Sequence, residues 1–169
     1  MAVLSILTYP DARLQRKAEA VQVFDDALQQ FVSDLTETMY AGPGGVGIAA
    51  PQVDRLQRIV IVDVRAKLGD HCHGLMLLIN PELLAWEGMA VGREGCMSVP
   101  DFTGNVIRAE RIQVQAQDVF GHERSYECEG FEARAIQHEM DHLDGFLFLD
   151  RLVSRKTDLF RRKNYQKSK

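Results

Sequence analysis

Gln137-His138-Glu139-Met140-Asp141-His142 is the densest run of chemistry-bearing side chains in the sequence. On a helix, residues four apart share one face, so His138 and His142 can turn two imidazoles toward one ion while Glu139 projects beside them. Neutral imidazoles leave a divalent ion electrophilic, the ion lowers the pKa of a bound water, and a carboxylate that is not a ligand can take that water's proton. That is the chemistry of a metal-dependent hydrolase. The HExxH string also arises by chance on surface helices. Here Phe131, Ala135, Ile136, Met140 and Leu143 make the segment largely apolar, which predicts burial, and buried histidines and acids need partners.

A catalytic ion needs a third protein ligand and an open position. In the longer pattern HExxHxxGxxH the glycine is matched by Gly145, but the last histidine is replaced by Phe148. Downstream acids are Asp150 and Asp158, the latter within a basic tail. The cysteines are the other candidates. Cys96 lies in Glu94-Gly95-Cys96-Met97-Ser98-Val99-Pro100, where Gly95 permits a tight backbone path. Cys72 is flanked by His71 and His73, a triplet able to bind a metal itself but more commonly an exposed polar loop, and Cys128 reads as a strand residue. Spacing alone does not choose among the three.

These residues need elements to hold them. Asp25 or Asp26 can cap a helix whose apolar stripe runs through Leu28, Phe31, Val32, Leu35 and Met39. It meets Gly42-Pro43-Gly44-Gly45-Val46-Gly47, a loop lacking the Gly-Lys-Ser/Thr of a phosphate loop and the setting of a dinucleotide fingerprint. Arg58 to Val64 reads as a buried β-branched strand, and Gly74 to Asn80 as another that stops at Pro81. Ile112, Val114 and Ala116 alternate with polar residues, and Arg124 to Cys128 can pair with them across Phe120-Gly121-His122-Glu123. A helix from Phe131 to Leu143, stopped by Gly145, then carries the histidines. The order lacks regular strand-helix alternation. The expected architecture is therefore α+β: mostly antiparallel strands packed around a central buried helix that carries the HExxH motif, with a C-terminal helix.

A chain of 169 residues buries a core without disulfide staples, and one domain spanning 1–169 is expected. Three cysteines are too few, and odd in number, for a disulfide scaffold, which predicts a reducing compartment. No apolar run approaches the ~20 residues of a membrane span. The first residues also lack a signal-peptide pattern, so a cytoplasmic location is expected. The net charge of -4 hides a polarity, because residues 151–169 hold eight Lys or Arg against Asp158 alone. Such a tail reads as a solvated terminal helix or as a contact for a polyanion.

Three segments in order, Gly45-Val46-Gly47-Ile48-Ala49-Ala50-Pro51-Gln52, Glu94-Gly95-Cys96-Met97-Ser98 and Gln137-His138-Glu139-Met140-Asp141-His142, resemble the signature motifs of peptide deformylases. The resemblance extends to Ile6-Leu7-Thr8-Tyr9-Pro10-Asp11 and to His142-Leu143-Asp144-Gly145-Phe146-Leu147-Phe148. It implies hydrolysis of the N-terminal formyl group from formyl-Met of nascent polypeptides, releasing formate. Cys96, His138 and His142 would bind one divalent metal, commonly Fe(II) in the family, with zinc, nickel or cobalt able to replace it. Glu139 would act as general base and then acid, while the Gln52 amide and the Met97 backbone N–H stabilise the charge on the formyl oxygen. Gly47 and Ile48 would pair with the peptide backbone, and Ile48, Phe131 and Ala135 would wall a methionine-sized pocket. Arg134 stands where some relatives have an apolar residue, Thr103 where some have an arginine, and the loop before Gly45 lacks an acid found in others. Glu94 and Arg108 are expected to pair behind the Cys96 loop, with Asp141 anchoring the motif helix. The basic tail acquires ribosomal RNA as a candidate partner. The competing readings are a metallopeptidase using the same helix and a non-catalytic peptide-binding relative; retention of Glu139, which an ion does not need for binding, favours the enzyme.

Overall fold

The structure, a computed structural model, describes residues 2–162. Helix α1 (Asp26–Ala41) starts where the Asp25 side chain accepts the Leu28 N–H at 2.9 Å, and ends at Gly42. Strands β1 (Gly47–Ala49) and β2 (Ile59–Val62) are followed by a short helix α2 (Arg65–Leu68). Then come β3 (Met76–Glu87), β4 (Ala90–Cys96), β5 (Val99–Arg108), β6 (Arg111–Gln117) and β7 (Glu123–Glu129). Helix α3 (Gly130–Leu143) carries His138, Glu139 and His142, and β8 (Leu159–Arg161) follows a 3-10 turn at Phe148–Arg151. The strands form a five-stranded sheet in the order β1-β2-β3-β6-β7 and a three-stranded sheet in the order β4-β5-β8, with antiparallel neighbours throughout.

Side-chain alternation along β1, β2 and β3 places one buried apolar cluster on each face of the larger sheet. Ile48, Ile59, Ile61 and Ile79 pack against Leu28, Phe31, Leu35 and Met39 of α1. Their neighbours Ala49, Val60, Val62 and Leu78 face the other way, against Ala133, Ile136 and Leu143 of α3. The larger sheet thus lies between α1 and α3, and β2 is buried on both faces, as its unbroken β-branched sequence requires. Each fully buried Ile or Val contributes on the order of 1.5–3 kcal/mol.

Two expectations are corrected. The strand ending before Pro81 instead continues to Glu87. Asn80 takes a left-handed conformation (φ 52°), and the β3–β6 register shifts between Ile79 and Glu82, so the missing N–H of Pro81 falls where the ladder is already broken. The Asn80 side chain pins this bulge, accepting the Val21 N–H and donating to the Val21 carbonyl and Gln117. The expected C-terminal helix is absent from the described residues. Residues 159–161 form β8 against Phe102–Gly104, because Asp158 is held by the backbone N–H and side-chain amide of Asn105 and leads the chain along the open edge of β5. Residues 163–169 of the basic tail lie outside the described residues.

The loop between α1 and β1 is tied to the sheet through Asp63. Its carboxylate accepts from the Tyr40 hydroxyl at the end of α1 and from the Arg65 side chain and N–H, while its own N–H donates to the Val46 carbonyl. The Arg65 guanidinium, assisted by Tyr40, holds this carboxyl well below the usual range against the opposing effect of burial. A group with a depressed folded pKa contributes stability that is present above its unfolded value, about 3.9, and is lost as pH falls toward the folded value. Asp63→Asn is expected to lower unfolding stability at pH 7 by about 1–3 kcal/mol, a deficit that shrinks below pH ~4. Urea denaturation across that pH range measures it.

Candidate metal centre

Cys96 ends β4 at a tight turn, Met97-Ser98, that pairs Cys96 with Val99 of β5. The turn directs its sulfur toward α3, where Sγ lies 3.4 Å from Nε2 of His142. The donor atoms of Cys96, His138 and His142 lie within 4.8 Å of one another, and all three residues are buried. The imidazoles meet edge-on at 5.3 Å between centroids. Phe148, standing where the longer motif would have a third histidine, stacks on His138 at 6.2 Å.

His138 is oriented from behind. Its Nδ1 lies 2.8 Å from Oε1 of Glu94, which leaves Nε2 for an ion. Arg108 reaches the same carboxylate with two bonds of 2.9 Å, and Arg134 adds a third at 2.7 Å. Arg108 also donates to Asp141 on α3 at 2.6 Å, so the expected Glu94–Arg108 pair and the Asp141 anchor form one network. Burial alone would raise the Glu94 carboxyl, but the bonds from His138 and Arg108 overcome it and hold the group well below the usual range.

Glu139 meets the opposite condition. Burial is the largest influence and pushes its carboxyl up to about 7. Its Oε1 has no hydrogen-bond partner among the described residues. Burial lowers His142 well below the ordinary imidazole value, and the charge of His138 adds to this. Burial also opposes charging of His138, but Glu139, Cys96 and Glu94 outweigh it and raise its pKa well above the ordinary value. A buried sulfur and carboxylate beside two imidazoles thus draw positive charge, and a divalent ion fits both that demand and the donor set.

The cluster lies at the back of a cavity of about 240 Å³. Gln52, Met97, Gly47, Phe131 and Ala135 line it. The Gln52 carbonyl oxygen accepts the Ala49 N–H at 2.9 Å, and its amide donates to Ser98 Oγ at 2.9 Å and to Cys96 Sγ at 3.5 Å. Gly47 is required by close approach, since an added Cβ would sit 2.6 Å from Glu139 Oε2. Ile48 does not line the cavity. It is fully buried against α1 because alternation turns it away from α3, and Val46 supplies the apolar wall in its place. Residues not foreseen are Ser98, whose hydroxyl steadies Gln52, and Arg162, which reaches the cavity from beyond β8 and lies with Thr103 over Gly95. Ser98 carries no spacing signal beyond its place next to Cys96-Met97, and Arg162 belongs to a charge run that reads as solvated. Arg134 lines the cavity as expected from its position, with its head group also bound to the Val106 and Ala90 carbonyls.

Arg108→Met would leave Glu94 and Asp141 short of a buried partner. The expected cost is about 3–5 kcal/mol in urea unfolding, with zinc affinity weakened ~10-fold through the loosened His138. Unchanged stability and unchanged chelator competition would contradict this role.

The sequence model described as polypeptide deformylase matches residues 3–158. A peptide deformylase of Syntrophobacter fumaroxidans is 43% identical over 169 residues, covering 100% of this chain and 98% of the relative. One from Chromobacterium violaceum shows the same identity and coverage. Among solved structures, a peptide deformylase from Legionella pneumophila superposes with a TM-score of 0.82 at 40% identity, covering 89% of this chain and 86% of that one. The Ehrlichia chaffeensis peptide deformylase in complex with actinonin gives 0.85 at 37% identity, covering 92% of each. On these matches, the chain belongs to the polypeptide deformylase family of metal-dependent hydrolases.

Proposed function

We propose that the described residues act as one catalytic unit that removes the formyl group from formyl-Met of newly made polypeptides at the Cys96, His138 and His142 cluster. The observation that carries this reading is the convergence of those three donors with the unpartnered Glu139 carboxylate at the back of one cavity. Cys96, His138 and His142 would hold one divalent metal, which when bound lowers the pKa of a water in the cavity and polarises the formyl carbonyl. Family resemblance makes Fe(II) the expected ion, while zinc, nickel and cobalt suit the same donors.

Each remaining residue has a definable task. Glu139 takes the proton of the attacking water at its carboxylate and returns it to the departing methionine amine. Gln52 and the backbone N–H of Met97 donate hydrogen bonds to the negative charge that grows on the formyl oxygen. Ala49 holds the Gln52 carbonyl, which keeps the NH₂ end directed at the cluster. Strand β1 is the terminal strand of its sheet, so Gly47 and Ile48 can pair with an extended peptide through backbone groups that read no side chain. Phe131 and Ala135, joined by Val46, offer the methionine side chain an apolar wall. Lys67, Arg93 and Arg162 make the lining cationic.

No helix among the described residues is long and apolar enough to cross a membrane. A cytoplasmic setting suits a reduced Cys96, and the basic residues after Arg162 are suited to ribosomal RNA. Deletion of residues 163–169 is expected to reduce ribosome co-sedimentation at low salt while leaving hydrolysis of a short formyl peptide intact.

The catalytic reading is tested by formate release from a formyl-Met peptide, using protein loaded with metal under anaerobic conditions. Glu139→Ala should retain metal and lose activity by about 10²–10⁴-fold. Cys96→Ser should lose the catalytic metal, and an acetyl-Met peptide should remain uncut. Activity surviving in Glu139→Ala would remove Glu139 as the base.

A further inference from the structure

Outside the catalytic cavity, metal-donor atoms converge at one other place among the described residues, formed by His73, Cys128 and Glu132. Strand β7 runs directly into α3, which places Cys128 near the strand's end and Glu132 in the helix's first turn. His73 arrives from the loop that follows α2. Its Nδ1 lies 2.6 Å from Glu132 Oε1 and 3.8 Å from Cys128 Sγ, and its backbone N–H donates to Glu132 Oε2 at 2.9 Å. All three donor atoms lie within 4.8 Å of one another. Tyr126 packs edge-on against the imidazole at 5.4 Å and fixes its plane. The Glu132 side chain is only 4% exposed and that of His73 is 38% exposed, so a deep carboxylate and sulfur lie behind an imidazole that solvent can reach. The three residues share an open cleft with His71 and Cys72.

We propose that His73, Cys128 and Glu132 form a second divalent-metal site of the zinc class, separate from the catalytic one. An ion bound at about 2.3 Å from sulfur and 2.0–2.2 Å from nitrogen and oxygen holds its ligand atoms roughly 3.3–3.8 Å apart. The Cys128–His73 separation already falls there, and the His73–Glu132 hydrogen bond opens by about 1 Å to admit the ion. One thiolate, one imidazole and one carboxylate are a borderline-soft set, suited to zinc, cobalt or nickel rather than magnesium or calcium. The fourth position faces the cleft.

The ion ties the loop after α2 to the start of α3, the helix whose later turns carry His138 and His142. Lys67 of α2 lies 4.5 Å over the Phe131 ring on the cavity wall, so the same clip steadies one side of the substrate pocket. Its role is structural, since neither His73 nor Cys128 lines the catalytic cavity.

The test is zinc stoichiometry on metal-free full-length protein, read by chelator competition and elemental analysis, with cobalt as an optical probe of thiolate ligation. The full chain is expected to take up two equivalents. His73→Ala, a change at a partly exposed loop residue, should bind one and still hydrolyse formyl peptide, and Cys128→Ala should match it. Cys96→Ser should keep one equivalent together with a cobalt–thiolate absorption that disappears in Cys96→Ser/Cys128→Ala. A single equivalent in the full chain, or two in His73→Ala, would reduce the cluster to a buried ion pair beside a thiol and overturn the proposal. Retention of the second equivalent in Cys96→Ser keeps this outcome distinct from any failure of the catalytic reading.

Discussion

The Glu94 carboxylate is the point on which the rest of the site depends. It is buried, and a carboxylate removed from water costs several kcal/mol unless its oxygens are fully occupied. Arg108, Arg134 and His138 occupy them, Arg108 from β5 and Arg134 and His138 from successive turns of α3. Since Glu94 is itself on β4, two residues before Cys96, one side chain joins the strand that carries the sulfur to the helix that carries the imidazoles. The same contact turns His138 so that Nε2 faces the cluster. The arrangement of the three donors and the tertiary structure are therefore joined by one ionic network, and a change to Arg108 or Arg134 reaches the donor cluster without touching it.

A second constraint acts from the other side. Strand β1 approaches α3 so closely that only a glycine at position 47 clears Glu139, and the two-residue period of the strand then turns Ile48 toward α1 and Ala49 toward α3. Glu139 is thereby enclosed, and its Oε1 has no hydrogen-bond partner among the described residues, which is the environment that raises its pKa and suits it to take and return a proton near neutral pH. The two carboxylates on either side of His138 differ because of what surrounds them: Glu94 is saturated with donors, and Glu139 is deprived of them.

The helix around His138 and His142, the α1 stripe and the β-branched run of β2 were legible because each is a local periodicity. The choice of Cys96 over Cys72 and Cys128 was not, since donor convergence depends on a β4–β5 turn that spacing does not encode; resemblance of three motifs supplied it. Pro81 misled because a bulge pinned by the Asn80 side chain absorbs its missing N–H, and those partners lie far away in sequence. Residues 151–169 read as a charged terminal helix, whereas the open edge of β5 recruits Leu159–Arg161 as a strand, which is a tertiary effect that no local pattern announces. Ile48 was placed on the pocket wall by the resemblance, whereas the strand period turns its side chain toward α1 and away from the cavity. The His73, Cys128 and Glu132 cluster was invisible for a related reason: Cys128 reads as a simple strand residue until the β7–α3 junction brings it to a loop more than fifty residues earlier.

The central claim, that Glu94 forces His138 to present Nε2 to the ion, is tested most directly by long-range proton–nitrogen NMR of the His138 ring in zinc-loaded enzyme. A protonated, hydrogen-bonded Nδ1 and a ligated Nε2 that shifts on metal loading are expected. A His138 ring protonated at Nε2, or one whose Nδ1 carries the ion, would contradict it.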